Sequence, residues 1–309
     1  METLMNRKIS VTGHTSLDYL LTVESMAGPN QSAPIRVCET QYGGGAANVA
    51  AAIARLGGEA ELISPVGRDF ESSGYDEWLK NFGVDLSKLY RLEGETLSKA
   101  FVITDSHSNQ TTYFYWGAAA KLAELEPPKT DFVHMVTADC RFNAKMSQVA
   151  GFVSFDPGQD LVTYQKEPLN TILKNTNILF ANRHEIQKVT EISGKTFEEL
   201  QDTIGMIVVT RDKEGSVLYE NDGERITVTE IPAIMAESAD PTGAGDAYKA
   251  GFLVSLIKKF PPVICCRVGS VTASFVVEKI GCQTNLPNWE QMKERYVRYF
   301  PASDLDGSG

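Results

Sequence analysis

The amino-acid sequence predicts an α/β fold built on a mostly parallel central sheet. Short runs rich in β-branched and aromatic residues alternate with segments of helical periodicity along most of the chain, the signature of repeated β-α-β units. Glycine-rich turns stand where strands give way to helices, and two pairs of strand-like segments interrupt the rhythm.

Taken in order, Lys8 to Thr12 reads as the first strand. Leu17 to Glu24 and Pro34 to Gln41 then alternate polar and apolar residues on either side of a polar turn, as a hairpin does. Ala46 to Leu56 is an Ala-rich helix, and Gly57-Gly58 supplies the left-handed stop. Ala60 to Val66 reads as a strand and Ser72 to Asn81 as a helix. Leu97 to Thr104 with Gln110 to Trp116 forms the second hairpin-like pair. Phe132 to Thr137, Phe152 to Asp156, Ile178 to Ala181 and Ile204 to Thr210 supply further central strands. The helix from Phe197 to Thr203 is entered through a capping box of Thr196 and Glu199. The preceding Gly194-Lys195-Thr196 mimics the end of a P-loop, but Val189 stands where that motif needs glycine. We expect one domain over residues 1–309, with the two hairpins as insertions at about 17–42 and 90–118 that form a small lid sheet. Ordinary edge strands are the alternative reading, and the tail from Pro301 reads as loose.

Composition excludes several partners. Lys and Arg total 29 against 40 Asp and Glu, a net charge of −11. No basic stripe could neutralise many phosphates, so neither a nucleic acid nor an anionic membrane is expected as partner. No run of about 18 uncharged apolar residues exists to span a bilayer. The leader lacks the apolar core of a signal peptide, which points to the cytosol. Five scattered cysteines without a C-x-x-C pair read as reduced, packed thiols, and the four histidines lack metal-ligand spacing.

The chemistry concentrates in Asp240-Pro241-Thr242-Gly243-Ala244-Gly245-Asp246, which opens a helix that Pro261-Pro262 stops. Small side chains let the N–H groups of Gly243, Ala244 and Gly245 converge at the positive helix end, where they stabilise an anion. Asp246 alone could merely complement the helix dipole. Three small residues and a second acid, Asp240, are better explained by an anion hole beside a general base, the pair that phosphoryl transfer to a hydroxyl requires. A second string, Gly43-Gly44-Gly45-Ala46-Ala47-Asn48, also opens a helix. Its glycines admit a ligand to the main chain and Asn48 offers a donor and an acceptor to a hydroxyl, although a plain tight turn would look the same.

Together these strings resemble the two signature motifs of the ribokinase (pfkB) family of carbohydrate and nucleoside kinases. The likeness continues through Gly13 and Asp18, Asn182-Arg183-His184-Glu185 and Gly281. It implies a ribokinase-like three-layer α/β/α core. By resemblance, Asp246 is the catalytic base and Gly243, Ala244 and Gly245 form the anion hole. Asp18, Gly44, Gly45 and Asn48 would hold sugar hydroxyls. Asn182 and Glu185 match N-x-x-E, implying Mg²⁺ bound with ATP, often through water, whereas outside the family they would read as a helix cap and a first-turn acid. Thr210 and Gly215 fall in a string like the phosphate loop T-x-G-x-x-G, with Asp212 replacing its first glycine. A monovalent cation such as K⁺ is implied near Asp240 and Thr242.

Within the family, several long stretches are most similar to archaeal nucleoside kinases of broad specificity. They include Gly13-His14-Thr15-Ser16-Leu17-Asp18-Tyr19 and Gly281-Cys282-Gln283-Thr284-Asn285-Leu286-Pro287. Tyr113, Phe114, Tyr115 and Trp116 could lay an aromatic face on a base, or else serve packing or a dimer contact. Many sugar kinases carry D-x-N-x-R where this chain has Asp156-Pro157-Gly158-Gln159-Asp160, which argues against a phosphosugar and leaves Gln159 or Asp160 as a base or ribose contact. The expectation is an ATP-dependent kinase acting on the 5′-hydroxyl of a nucleoside, working as a homodimer paired through the lid. A sugar or phosphosugar kinase is the rival within the family, and a non-catalytic nucleotide-binding regulator is the rival outside it.

Overall fold

The computed structural model describes residues 7–107, 109–237 and 240–306. The central sheet contains β1 (Ile9–Thr12), β4 (Ala60–Ile63), β9 (Thr130–Met135), β10 (Ala150–Phe155), β11 (Ile178–Asn182), β12 (Met206–Thr210), β13 (Ser216–Asn221) and β14 (Ile226–Ile231). Its spatial order is β14-β13-β12-β11-β10-β9-β1-β4, parallel from β4 to β12 and antiparallel at β13 and β14. The expected α/β class holds.

Strand alternation explains the layers. Ile9, Val11, Phe132, Ile178, Phe180 and Val208 point to one face. There they meet α1 (Gly45–Arg55), α2 (Tyr75–Phe82), α7 (Ala244–Ile257), α8 (Pro262–Val276) and α9 (Trp289–Tyr296). Val133, Met135, Val153, Leu179 and Ile207 point to the other, toward α3 (Cys140–Val149), α4 (Lys166–Asn175), α5 (Arg183–Ser193) and α6 (Phe197–Thr203). Period-two strands with both faces apolar therefore require helices on both sides, which gives three layers. Each fully buried Phe of this core contributes about 1.5–3 kcal/mol relative to exposure.

The four segments outside the rhythm make a separate sheet, β3-β2-β7-β8, from β2 (Ser16–Val23), β3 (Ile35–Gly43), β7 (Ser98–Thr104) and β8 (Gln110–Tyr115). Each predicted hairpin pairs antiparallel, and β2 joins β7 in parallel. One expected strand divides. Ala60–Val66 breaks after Ile63 because Pro65 has no N–H to continue the ladder. Its remainder, β5 (Pro65–Gly67), pairs instead with β6 (Tyr90–Leu92). The helix expected from Ser72 starts later, after Gly74 adopts φ +78°. The capping box at Thr196 and Glu199 forms as read. All five cysteines are free, and all but Cys38 are buried.

The chain runs from β1 to β4 on one side and later returns to β9 on the other. That reversal opens a crevice at the carboxyl ends of β1 and β9, the usual ligand position in open α/β sheets. Gly13 lies in it at φ +150°, and a Cβ there would stand 2.7 Å from the Thr137 carbonyl oxygen.

Candidate active site

Helix α7 carries the reacting end of the site. Gly243 caps it at φ +82°, with Cys282 packed so closely that an added Cβ would lie 2.7 Å from the Cys282 Cβ. Gly245 and Asp246, in the first turn, have no helical acceptor for their N–H groups, so these remain for an anion. The Ala244 N–H turns back toward the Pro241 carbonyl at 3.3 Å, so it is already engaged within the predicted trio. Asp240 orders the preceding loop, accepting from the N–H of Thr242 at 2.9 Å and of Gly281 at 3.3 Å.

Asp246 is held by both oxygens. Its Oδ2 accepts from Asn48 Nδ2 at 2.9 Å, and its Oδ1 lies 3.7 Å from the Lys249 ammonium. Burial raises the proton affinity of Asp246, while Lys249 and Asn48 oppose that rise. Lys249 also pairs with Asp156, whose carboxylate ends β10. Its ammonium is buried among Asp156, Asp246 and Glu185, and their charges hold its pKa above the ordinary lysine value despite desolvation. Glu185 lies near enough that burial, then the Asp156 charge, push its pKa up to about 7. One cation therefore serves three carboxyl groups.

On the acceptor side, Asp18 leans against the Cα of Gly43, a position that any Cβ would occupy. Burial pushes its pKa up to about 6, against a hydrogen bond from Ser16 Oγ at 2.7 Å. Gly44 adopts φ +93° because its neighbours are the His14 carbonyl and the Ser16 amide, with no room for a side chain. This turn starts α1 at Gly45 and places Asn48 one turn in, facing Asp246. Asn48 is more restricted than its side chain suggests: its Oδ1 is taken by Gln283 Nε2 at 2.9 Å, which leaves N–H groups alone for a ligand. Phe114 packs on His14 with ring centroids 5.3 Å apart, and Trp116 meets the same ring edge-on. Gln159 is exposed, whereas the adjacent Asp160 accepts from or donates to His14 Nε2 at 2.6 Å.

The nucleotide-side residues divide. Asn182 and Glu185 form a capping box at the start of α5, with the Asn182 N–H donating to Glu185 Oε2 at 2.7 Å. Thr210 ends β12, and Gly215 closes the turn to β13 where the Ile231 carbonyl leaves no room for a Cβ. Asp212 has φ +50°, the left-handed region that glycine adopts without strain. Asp246, Asp18, Asn48, Gly43 to Gly45 and Glu185 converge on the crevice, while Gln159 lies at its exposed rim.

Sequence reasoning missed Lys249, Gln283, Tyr75 and Trp78. Lys249 carried a signal: it lies in the second turn of α7, inside an unbroken run of buried residues from Ala247 to Ile257. Such a lysine needs an anionic partner. The other three act through hydrogen bonds that only the tertiary fold assembles.

A carboxylate beside the open N-terminus of a helix, with a second carboxylate across a crevice in a three-layer fold, is an arrangement suited to a phosphotransferase with an alcohol as acceptor. A family model described as pfkB family carbohydrate kinase matches residues 6–289, and the chain belongs to that family. The nucleoside kinase of Methanocaldococcus jannaschii is 45% identical over 298 residues, covering 94% of this chain and 97% of that one. Its crystal structure, that of an archaeal member of the ribokinase family, superposes with a TM-score of 0.90 over 95% of this chain and 99% of that one. The nucleoside kinase of Methanothermobacter thermautotrophicus is 38% identical over 302 residues, 94% of this chain and 96% of that one. The fold is also shared by a Burkholderia thailandensis nucleoside kinase solved with inosine, at 23% identity and a TM-score of 0.83 over 94% of this chain and 98% of that one. No helix among the described residues is long and apolar enough to cross a membrane.

Proposed function

We propose that this protein is an ATP-dependent nucleoside kinase that phosphorylates the 5′-hydroxyl of nucleosides of the adenosine, guanosine, inosine or cytidine type. The observation that carries this reading is the placement of Asp246 beside the free N–H groups of α7 and opposite Asp18 and Asn48. Asp18 accepts from one substrate hydroxyl and Asn48 donates to another, which orients the acceptor. Asp246 takes the hydroxyl proton as the new O–P bond forms and the bond from the γ-phosphorus to the departing ADP breaks. The N–H groups of Gly243 and Gly245 receive the charge on the phosphoryl oxygens. Phe114 with Trp116 covers the base, and Gln159 is assigned to the substrate rim.

Asn182, Thr210 and Gly215 are assigned to ATP. Glu185 with Asn182 would hold Mg²⁺, through water, near the ATP phosphates. The support is the chemistry of the donor: the Glu185 carboxylate, whose pKa burial and then the Asp156 charge push up to about 7, is an oxygen ligand of the kind a hard divalent cation takes. That ion supplies charge neutralisation on the phosphates. We assign K⁺ to the loop of Asp240 and Thr242, whose carboxylate is already committed to ordering the backbone.

The small sheet is read as a lid inserted into one domain, excluding water from the transfer. Its exposed Ile35, Val37, Tyr113 and Tyr115 are assigned to pairing with a second copy, and the working compartment to the cytosol. Asp246→Asn tests the base: kcat should fall at least about 100-fold with nucleoside affinity little changed, and unaltered turnover refutes the role. A panel of nucleosides, ribose and fructose 6-phosphate with ATP separates the rivals. Preference for free sugars selects the sugar kinase, and ATP binding without turnover on any of them selects the regulator.

A further inference from the structure

Asn48 is one end of a hydrogen-bond chain that begins at Trp78 on α2 and runs through Gln283. Trp78 Nε1 donates to Gln283 Oε1 at 2.9 Å. Gln283 Nε2 donates to Asn48 Oδ1 at 2.9 Å and to the Tyr75 hydroxyl at 2.7 Å. Tyr75 in turn donates to the Gly43 carbonyl at 2.7 Å, and Asn48 Nδ2 donates to Asp246 Oδ2 at 2.9 Å. Gln283, Asn48 and Tyr75 are buried, with 3%, 5% and 0% exposure.

An indole N–H can only donate, so it fixes which end of the Gln283 amide faces Trp78. Tyr75 has spent its proton on Gly43 and can only accept from Gln283. Both anchors demand the same orientation of Gln283, and Gln283 then demands that Asn48 present its carbonyl inward and its N–H to Asp246. We propose that Trp78 and Tyr75, acting through Gln283, are positioning residues that lock Asn48 as a donor toward the catalytic base and so deny protonated Asp246 an acceptor. An unlocked amide pair could turn over when Asp246 is protonated and accept its proton, which would favour the inactive form. The lock removes that option and keeps the base ionised between turnovers.

The inference rests on the assignment of Asp246 as base. Its test is the pH profile of kcat/KM. In the double variant Trp78→Phe with Tyr75→Phe, each position keeps an aromatic ring but both anchors are lost. The acidic limb should move up by roughly one pH unit, about the worth of one hydrogen bond, while the alkaline plateau stays within about threefold of the parent. Each single variant keeps one anchor and should move the limb by less than half as much. Lys249 on α7, Asp18 on β2, Asp156 after β10, Glu185 on α5 and the Cys282 thiol also face Asp246, and none is altered. Repeating the series in Glu185→Gln removes that carboxyl group from the profile. If the double variant fails to fold, Gln283→Met breaks the chain at its centre and should shift the limb the same way. A folded variant whose limb superposes on the parent overturns the lock. If Asp246→Asn retains turnover, the base assignment fails instead, so the two failures are distinguishable.

Discussion

Lys249→Met removes the single ammonium shared by three carboxyl groups, and its effect on Asp246 can be worked from one distance. At 3.7 Å, and with an effective dielectric constant of about 20, the attraction between Lys249 and Asp246 is about 4 kcal/mol. That equals roughly 3 pH units, an upper bound because the ammonium also serves Asp156. Loss of the cation also leaves the Asp156 charge to repel Asp246, which acts in the same direction. The acidic limb of kcat should therefore move to higher pH by about 1–3 units, with turnover depressed near neutrality and recovered in alkaline buffer. Breaking a buried ion pair costs about 3–5 kcal/mol, so thermal unfolding must first establish that the variant is folded. Asp156→Asn is the opposing probe: it frees the ammonium for Asp246 and should move the limb to lower pH. Assays of kcat between pH 5 and 10 decide the matter. A folded Lys249→Met enzyme with an unmoved limb, or limbs that move the same way in both variants, refutes the electrostatic account.

Asp18 titrates at about 6 in the folded chain against 3.8 ordinarily, so the folded state binds its proton more tightly. Its contribution to stability is present below the ordinary value and lost as pH rises through about 6. Asp18→Asn should thus raise the melting temperature by a few degrees at pH 8 and leave it unchanged at pH 4, with nucleoside binding weakened; calorimetry at both values checks this. Gly243→Ala places a side chain against Cys282 and forces a left-handed alanine costing about 1–2 kcal/mol. We expect kcat to fall at least about tenfold with a lower melting temperature, measured by steady-state kinetics and thermal unfolding.

Much of this molecule was legible in its residues because the signals were local. The stop at Gly57-Gly58, the capping box at Thr196 and the helix opened by Gly243 each depend on a few adjacent positions, and each appears where read. The split at Pro65 could have been foreseen from its missing N–H. The parallel junction of β2 with β7 could not, since nothing in either segment names a partner about 80 positions away. The same limit hid the site's second half. Asp246 and Asn48 announce themselves beside glycines, but Lys249 meets Asp156, and Gln283 meets Trp78, only after the sheet and helices have packed. Asp212 shows the converse: an aspartate stands at a left-handed position, where the letter of the motif expects glycine.

The four-stranded sheet is woven from two distant stretches, so the polypeptide passes between it and the core at four places. Positive-φ glycines mark three of these passages, Gly13 before β2, Gly44 after β3 and Gly117 after β8. Asp18 travels with the sheet, while Asn48 and Asp246 stay with the core. On the proposed roles, any tilt of the sheet therefore carries Asp18 away from Asn48 and Asp246 and leaves the acceptor alcohol held from one side only.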